Sequence, residues 1–364
     1  MRKRISAIIN KLNISIMMMI VVLMIGCGQQ PEAGKTGAAG GEKQGAGSLS
    51  EVLMEVGKSA ENAFYSFLEL VSDTLGFTAK STTKKEDVGG YFNSLGGKLG
   101  EASNELEQVA KNSEAGIEKN DASKNPIRSA VNAAKKTLEA LKGYLDSLGT
   151  VGDSNPVGWA SNNAQGAAVD EAELKKAYKA LKGIMDTAEG AGVARPEVGN
   201  IAVKVGNGTD NKDGAKILAT DGAAAVGDAG KAAAILTTVS GKEMLASIVA
   251  SQEGDADAAL AADATAQTSA LKFARGGGNA GQLAKEAAKA AAVAGGIALR
   301  SLVKGGKLAA NNNDDDKVVQ SAGVTAVNKL LVAVEGIIKK TVKNVLEKAK
   351  GEIDKARAPK ATGQ

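Results

Sequence analysis

Side chains that could carry catalysis or bind a metal are scarce in this sequence of 364 residues. It contains one cysteine, Cys27, and no histidine. Without histidine the chain has neither a Ser-His-Asp triad nor a His-ligated zinc site, and a single cysteine forms no disulfide within the chain. We therefore expect no catalytic residue, no metal site and no cofactor. What remains is the thiol of Cys27, and the residues before it indicate its use.

The segment before Cys27 has the composition of a secretion signal. Residues 2–11 carry four basic side chains, and no acidic residue occurs in the first 26. An apolar stretch follows at 14–25, too short for the roughly 20 residues that a membrane-spanning helix needs. These features predict a signal peptide over residues 1–26 rather than a transmembrane helix.

The last residues of this segment, Leu-Met-Ile-Gly-Cys at 23–27, resemble the lipobox of bacterial lipoproteins. The resemblance implies cleavage between Gly26 and Cys27 and acylation of Cys27 on its thiol and its new amino group. Several acyl chains would anchor the protein stably in a membrane, since one chain alone binds only marginally. Ile25 and Met24 depart from the stricter bacterial pattern, so the site of cleavage is less well defined. An ordinary secretory signal with a chance cysteine is the alternative.

Other motifs fail on inspection. The sequence Gly34-Lys35-Thr36 lacks the earlier glycine of a phosphate-binding loop, because Gln29 stands there. A calcium loop beginning at Thr209 lacks its first acid and, at Thr220, its closing glutamate. The acidic run Asp314–Asp316 and the glycines at 276–278 lack the surrounding pattern of a calcium loop and of a dinucleotide-binding turn. We interpret these residues as solvated loops.

The charge balance excludes a nucleic-acid partner. The chain has 45 Lys and Arg against 41 Asp and Glu. Four of the basic residues lie within the first 26, namely Arg2, Lys3, Arg4 and Lys11. The chain after the signal is therefore neutral and lacks the concentrated basic surface that binding of a phosphate backbone requires.

Hydrophobic periodicity predicts a largely helical body. The clearest pattern begins at Asn125 and Pro126, as an N-cap and first helical residue, and ends at Gly149. Two capping pairs, Asp170 with Glu173 and Ser240 with Glu243, predict further helix starts. Helices are predicted at 48–75, 88–109, 126–148, 171–190, 229–239, 240–251, 256–274, 282–304 and 317–355. The heptad spacing within them favours packing inside one chain over an intermolecular coiled coil.

Glycine, asparagine, aspartate and alanine dominate the segments between these helices. Residues 149–166 and 190–230 are predicted to be loops with at most one short strand. The later helices are rich in alanine, so we expect their buried faces to be thin. Residues 28–47 contain too little apolar surface to fold and are predicted to be a flexible tether.

Four stretches resemble the variable large proteins of relapsing-fever spirochaetes. They are Met54-Glu-Val-Gly-Lys-Ser-Ala-Glu-Asn-Ala-Phe-Tyr with its continuation to Thr78, Gly89 through Gly149, Ile297-Ala-Leu-Arg-Ser-Leu-Val-Lys-Gly-Gly-Lys-Leu-Ala, and Ala326-Val-Asn-Lys-Leu-Leu. A weaker similarity extends to the variable surface lipoprotein of Lyme spirochaetes, chiefly in the terminal helices and at 292–308.

This resemblance implies a fold, a place and a function. The fold is all-α, an elongated helical bundle with both chain ends near the membrane and variable segments distal to it. The place is the outer membrane, with the lipid of Cys27 inserted and the body facing the outside. The function is antigenic variation, in which one variant of a repertoire is expressed at a time and host antibodies are evaded.

The implied organisation divides the chain into six parts. They are the signal peptide at 1–26, a lipidated tether at 27–47, membrane-proximal helices at 48–149, a variable loop-rich helical region at 150–316, a C-terminal helix at 317–357 packing with the N-terminal helices, and a disordered tail at 358–364. Within it, antibody-facing variable loops are predicted at 152–167, 190–230, 252–265, 274–282 and 305–317.

An alternative function is that of an adhesin for host glycosaminoglycan or matrix. Helical spacing places Lys175, Lys179 and Lys182 on one face, with Lys176 adjacent. A basic face of this kind would bind a sulfated polymer, although solvated lysines produce the same pattern. The lysines near the end of the C-terminal helix likewise either contact anionic lipid or form an ordinary solvated face. The sequence leaves the oligomeric state open.

Overall fold

The computed structural model describes residues 75–114, 126–205, 209–222, 224–311 and 315–357. The chain divides into two compact units, 1–46 and 47–364, and every described residue lies in the second. The predicted signal peptide, the tether, residues 48–74 of the helix predicted at 48–75, and the tail at 358–364 lie outside the described residues.

Helices dominate the described ranges, which confirms the predicted all-α class. The α-helices are α1 Lys85–Glu114, α2 Pro126–Leu148, α3 Glu171–Gly190, α4 Asp228–Thr237, α5 Gly241–Val249, α6 Ala270–Arg275, α7 Ala280–Leu283, α8 Ala290–Leu302 and α9 Asp315–Arg357. Two 3₁₀ helices span Lys212–Leu218 and Glu253–Ala256. Strands β1 (Lys204–Val205) and β2 (Thr209–Asp210) form one antiparallel pair, with Lys204 opposite Asp210.

Helices α1 and α2 pack together through large aliphatic side chains. The predicted stripe of α2 is buried along its whole length, from Ile127 to Leu148. The predicted stripe of α1 faces it, and seven of its residues are almost inaccessible to solvent: Val88, Phe92, Leu95, Leu99, Ala102, Leu106 and Val109. Gly89 allows the helices to meet closely, because a Cβ there would lie 2.5 Å from the carbonyl oxygen of Gly149. This pair, α1 with α2, is called the leucine hairpin below.

The predicted capping residues act as caps. The Asp170 side chain accepts a hydrogen bond from the Glu173 amide at the start of α3. Ser240 and Glu243 form a reciprocal capping box at the start of α5. Local side-chain chemistry therefore determines where these helices begin, as the sequence predicted.

Helix α9 is the longest described helix, with 43 residues. Its predicted apolar face is buried, including Val327, Leu331 and Ile338. One stretch is long and apolar enough to cross a membrane, but 61% of that stretch is buried inside the protein. The helix contacts α2, α3, α4, α5 and α8, which is the environment of a core helix.

Helix α8 contradicts the expectation of thin buried faces. All of its 13 residues are buried, so the helix is covered on every side. Its small side chains bring neighbouring helices close: a Cβ at Gly296 would lie 2.4 Å from the Cβ of Phe273 in α6. Alanine and glycine here make a dense core rather than a thin one.

Two predicted helices are wrong in extent. The prediction of one helix over 256–274 fails, because residues 257–269 contain no helix and α6 covers only 270–275. The predicted helix over 282–304 is interrupted at 284–289, where the main chain bonds instead to a distant segment, as in the bond from the Val203 amide to the Ala288 carbonyl. Alanine favours a helix wherever no competing partner exists, and here tertiary partners compete.

The predicted loop over 190–230 is also more ordered than expected. The 3₁₀ helix at 212–218 lies inside it and buries Gly214, Ala215, Ile217 and Leu218. Segments 152–167 and 305–317 pair through isolated bridges, such as Ala167 with Lys307. These segments lack long helices, yet parts of them lie in the core.

Candidate functional site

The lipidation site predicted at Gly26 and Cys27 lies outside the described residues. The site that the structure does describe is the region of the predicted antibody-facing segments. Most of these segments lie within residues 152–167, 200–227 and 257–310, which also contain α6, α7 and α8. We call the described residues of these ranges the loop layer.

The lysines of α3 do not form a free basic face. Lys175 pairs with Glu171 and with Asp257, at 2.6 Å in each case. The Asp257 contact first, and then the Glu171 contact, raise the pKa of Lys175. Lys179 pairs with Glu253 at 2.7 Å. Two acidic residues outside α3, Asp257 and Glu253, therefore contact this face.

The other two lysines of the set are paired within α3. Lys176 lies 2.8 Å from Glu173, and Lys182 lies 3.3 Å from Asp186. The surface therefore carries both signs of charge in close alternation, rather than the uniform positive potential that attracts a sulfated polymer. These contacts give the adhesin alternative no support.

Lysines at the end of α9 are paired in the same way. Lys350 contacts Asp354 at 2.9 Å and Lys355 contacts Glu352 at 2.8 Å, both along the helix. Pairs of this spacing are typical of a solvated helical face. The interpretation as an ordinary polar face accounts for these contacts.

The residues that resemble a calcium loop form ion pairs instead. Asp210 contacts Lys212, while Asp213 contacts Lys216 at 2.8 Å and Lys231 at 2.5 Å. Hydrogen bonds from these two lysines, Lys216 first, lower the pKa of Asp213 to about 2. Within the described ranges, no group of three or more acidic, cysteine or histidine residues is arranged to hold a metal ion.

Each predicted antibody-facing segment contains both exposed and buried residues; the exposed ones are called crest residues below. Val226 is 71% exposed, and Asn162, Asp221 and Asp263 are also exposed. By contrast, residues 214, 215, 217–219, 274, 276–277 and 308–310 are buried. The predicted boundaries therefore included residues that an antibody could not reach.

Arg300 lies at the centre of this layer and is fully buried. Its Nε donates to the Ala274 carbonyl at 2.6 Å, and its Nη1 donates to the carbonyls of Ala167 at 2.7 Å and Lys307 at 3.3 Å. Its Nη2 donates to the Leu218 carbonyl at 3.3 Å. Burial first, and then the charge of Arg275, lower the pKa of Arg300 to about 9. The guanidinium remains protonated at neutral pH and is surrounded by carbonyl oxygens.

Lys85 is a second buried cation of the same kind. Its ammonium donates to the carbonyls of Val303 at 2.9 Å and Gly306 at 2.6 Å, and lies 4.0 Å from Asp153. Burial lowers its pKa to about 8, an effect that Asp153 opposes and Arg300 adds to. Lys85 thus connects the first turn of the leucine hairpin to the end of α8.

Sequence reasoning missed both of these cations. Arg300 offered one signal, because it is the only charged residue in the 13 residues of α8. A charge within a fully apolar helix implies a buried partner. Lys85 offered none, since it lies in the polar run Lys84-Lys85-Glu86-Asp87.

Comparisons with known proteins show which family and which fold this chain resembles. A family model described as Borrelia lipoprotein matches residues 60–353. Variable large protein 21 of Borrelia hermsii is 89% identical over the whole of both chains, and Variable large protein 25 of that organism is 76% identical, again over both whole chains. The solved structure of the Lyme disease variable surface antigen VlsE of Borrelia burgdorferi is similar, with a TM-score of 0.65 and 25% identity over 84% of this chain and 99% of that one.

Proposed function

This chain belongs to the Borrelia lipoprotein family, and we propose that it is a lipid-anchored antigen of the outer surface that serves antigenic variation. The observation that carries the proposal is its full-length similarity to two variable large proteins of one organism. Such relatives preserve the length of the chain while differing in sequence, as members of a repertoire would.

The structure supports this function through the contrast between crests and buried stretches. Antibodies recognise exposed side chains, and replacement of exposed residues away from special contacts usually changes stability by less than about 0.5 kcal/mol. Val226, Asp221 and Asn162 are such residues. A variant could therefore change its antibody-binding surface while keeping the fold.

The anchor of this antigen is the acylated Cys27. Its acyl chains would insert into the outer leaflet of the outer membrane, and residues 28–47 would hold the folded body away from the lipid. Host antibodies are the proposed partners.

Lipidation is tested by labelling cells with radioactive palmitate and isolating the full-length protein. We expect Cys27→Ala to abolish the label and to shift the protein from the detergent phase to the aqueous phase. The matched variant Gly28→Ala keeps the acceptor thiol and should retain the label. Label persisting in Cys27→Ala would contradict the assignment of this residue.

Surface placement and variation are tested on intact cells. Protease added outside the cells should remove the protein while leaving periplasmic proteins intact.

Populations grown under antibody against this protein should express a copy with replaced crest residues or a different member of the repertoire. Protection from protease, or escape populations with an unchanged and still expressed copy, would contradict the proposal.

A further inference from the structure

The four carbonyl groups that Arg300 contacts belong to four different segments that were predicted to face antibody. Ala167 lies in segment 152–167, Leu218 in 190–230, Ala274 in 274–282 and Lys307 in 305–317. These are four of the five segments predicted to vary and to face antibody. One buried side chain therefore binds each of these four segments.

Every one of these bonds is made to main chain. A main-chain carbonyl accepts the same hydrogen bond whatever side chain its residue carries. We propose that Arg300 is a clamp on main-chain carbonyl groups, which holds the variable segments beneath the antigenic surface while their exposed side chains change. This inference rests on the proposed function for its purpose, but its physical content concerns only stability and main-chain order.

The segments are joined to one another by main chain as well. The Gly166 amide donates to the Ala219 carbonyl at 3.1 Å, the Thr220 amide to the Gly277 carbonyl at 3.0 Å, and the Ala309 amide to the Ile217 carbonyl at 2.8 Å. These bonds cross between segments that are far apart in sequence. Together with Arg300 they form an attachment made by main-chain groups. Two glycines in it must keep their small size, because a Cβ at Gly166 would lie 2.4 Å from the Ala219 carbonyl oxygen and one at Gly276 would lie 2.2 Å from that of Leu218.

The clamp requires a guanidinium group. Arginine presents five N–H donors in a planar fork, whereas lysine presents three donors on one nitrogen. The carbonyls of Ala274, Ala167 and Leu218 are contacted by three different nitrogens of Arg300. A lysine at this position would keep the charge but could not reach all of them. Charge alone therefore does not explain the arrangement. The variant Arg300→Lys separates the effect of the positive charge from the effect of the planar set of donors.

The test uses three variants of the full-length chain. Arg300→Met removes the fork, and Arg300→Lys keeps the charge. A crest variant combines Gln165→Lys, Asp221→Lys and Lys304→Glu, which change exposed side chains in two of the clamped segments and next to a third. The matched comparison is between one buried change and three exposed ones.

Thermal unfolding is followed by the fluorescence of Trp159, the only tryptophan of the chain. Its ring lies 5.4 Å from the Lys307 ammonium, and its carbonyl accepts from the Leu308 amide at 2.8 Å, so it reports on the loop layer. We expect Arg300→Met to lower the unfolding temperature by roughly 10 °C, because buried carbonyls lose their donors. Arg300→Lys should recover less than half of that loss. The crest variant should stay within about 2 °C of the native protein.

Hydrogen exchange keeps the test decisive if Arg300→Met does not fold. In Arg300→Lys, the amides of Gly166, Thr220 and Ala309 should exchange at least about tenfold faster, and in the crest variant they should not. Full recovery by lysine, or destabilisation of the crest variant as large as that of Arg300→Met, would overturn the clamp. Neither result bears on the palmitate and protease experiments, so failure of this inference and failure of the proposed function are distinguishable.

Discussion

The leucine hairpin and the loop layer bury their residues by different means. In the hairpin, large side chains of α1 and α2 fill the space between two long helices, with Leu138 and Leu141 wholly buried. In the loop layer, the small residues of α8 bring main chains into contact, and the buried Arg300 bonds to the carbonyls around it. The stability of the hairpin depends on the volume of its large side chains. The stability of the loop layer depends on hydrogen bonds to main chain and on small residues that allow main chains to approach.

This difference decides which residues can change without loss of the folded structure. Packing by large side chains fixes the identity of both partners, because a change in volume leaves a cavity or a clash. Attachment through carbonyl groups fixes Arg300 and the small residues that let main chain approach it, such as Gly276 and Gly306, and leaves the exposed side chains free to change. A protein that must change its exposed residues gains from placing the second kind of attachment beneath them.

The largest expected effect is a cavity in the hairpin. Leu138→Ala should lower the free energy of unfolding by about 3 kcal/mol, because the buried side chain leaves a space that neighbouring helices cannot close. Urea denaturation followed by circular dichroism measures the change. The exposed neighbour Lys136→Ala should cost less than about 0.5 kcal/mol. A loss below about 1 kcal/mol for Leu138→Ala would mean that side-chain volume does not hold the hairpin.

The next effect compares one substitution in both regions. At Gly296 in α8 a Cβ would lie 2.4 Å from the Cβ of Phe273 and 3.0 Å from the amide nitrogen of Ala274, so Gly296→Ala should cost about 2 kcal/mol despite the better helix propensity of alanine. At Gly97 in α1 a Cβ would meet no atom within 4 Å, so Gly97→Ala should stabilise by about 1 kcal/mol. Denaturant midpoints measure both. Equal signs would show that the close approach of Phe273 and Ala274 to Gly296 does not decide the effect of the substitution.

The smallest effect concerns acid. Hydrogen bonds from Lys135 and then Arg128, each at 2.7 Å, lower the pKa of Glu107 in the hairpin to about 2 from an ordinary value of 4.5. Since the folded pKa is depressed, this contribution to stability is present above pH 4.5 and is lost as the pH falls towards 2. Glu107→Gln should flatten the acid limb of stability in that window by no more than about 1 kcal/mol.

The same titration can be followed in the loop layer through Asp213, whose pKa is also about 2. Asp213→Asn should flatten its own share of the acid limb by a similar amount. Stability from pH 5 to pH 2 is measured by thermal unfolding of each variant. An acid limb identical to that of the native protein in both variants would show that these pairs contribute nothing.

Prediction from sequence succeeded where local chemistry decides structure. The start of α2 at Pro126, the cap of α3 at Asp170 and the capping box of α5 at Ser240 all follow from residues within one turn. The predicted lysine face of α3 was located correctly, but its partners Glu253 and Asp257 come from another segment. Periodicity therefore identified the face and not its charge.

Prediction failed where small residues meet distant main chain. Alanine and glycine give weak periodicity, so residues 257–269 and 284–289 were predicted to be helical although tertiary hydrogen bonds hold them in other conformations. The same weakness hid the burial of Leu308 and Ala309 within a predicted surface loop.

The amino-acid sequence by itself determined the helical class, the ends of the strongly patterned helices, the lack of histidine chemistry and the resemblance to a family of variable lipoproteins. These properties depend on residue inventory and on contacts within a few residues. Only the tertiary structure decided that α8 is covered on all sides, that the α3 lysines are neutralised, and that Arg300 and Lys85 bind the loop layer. Those properties depend on contacts with main-chain groups. Every residue carries the same main-chain groups, so the pattern of side chains in the sequence does not predict which groups come into contact.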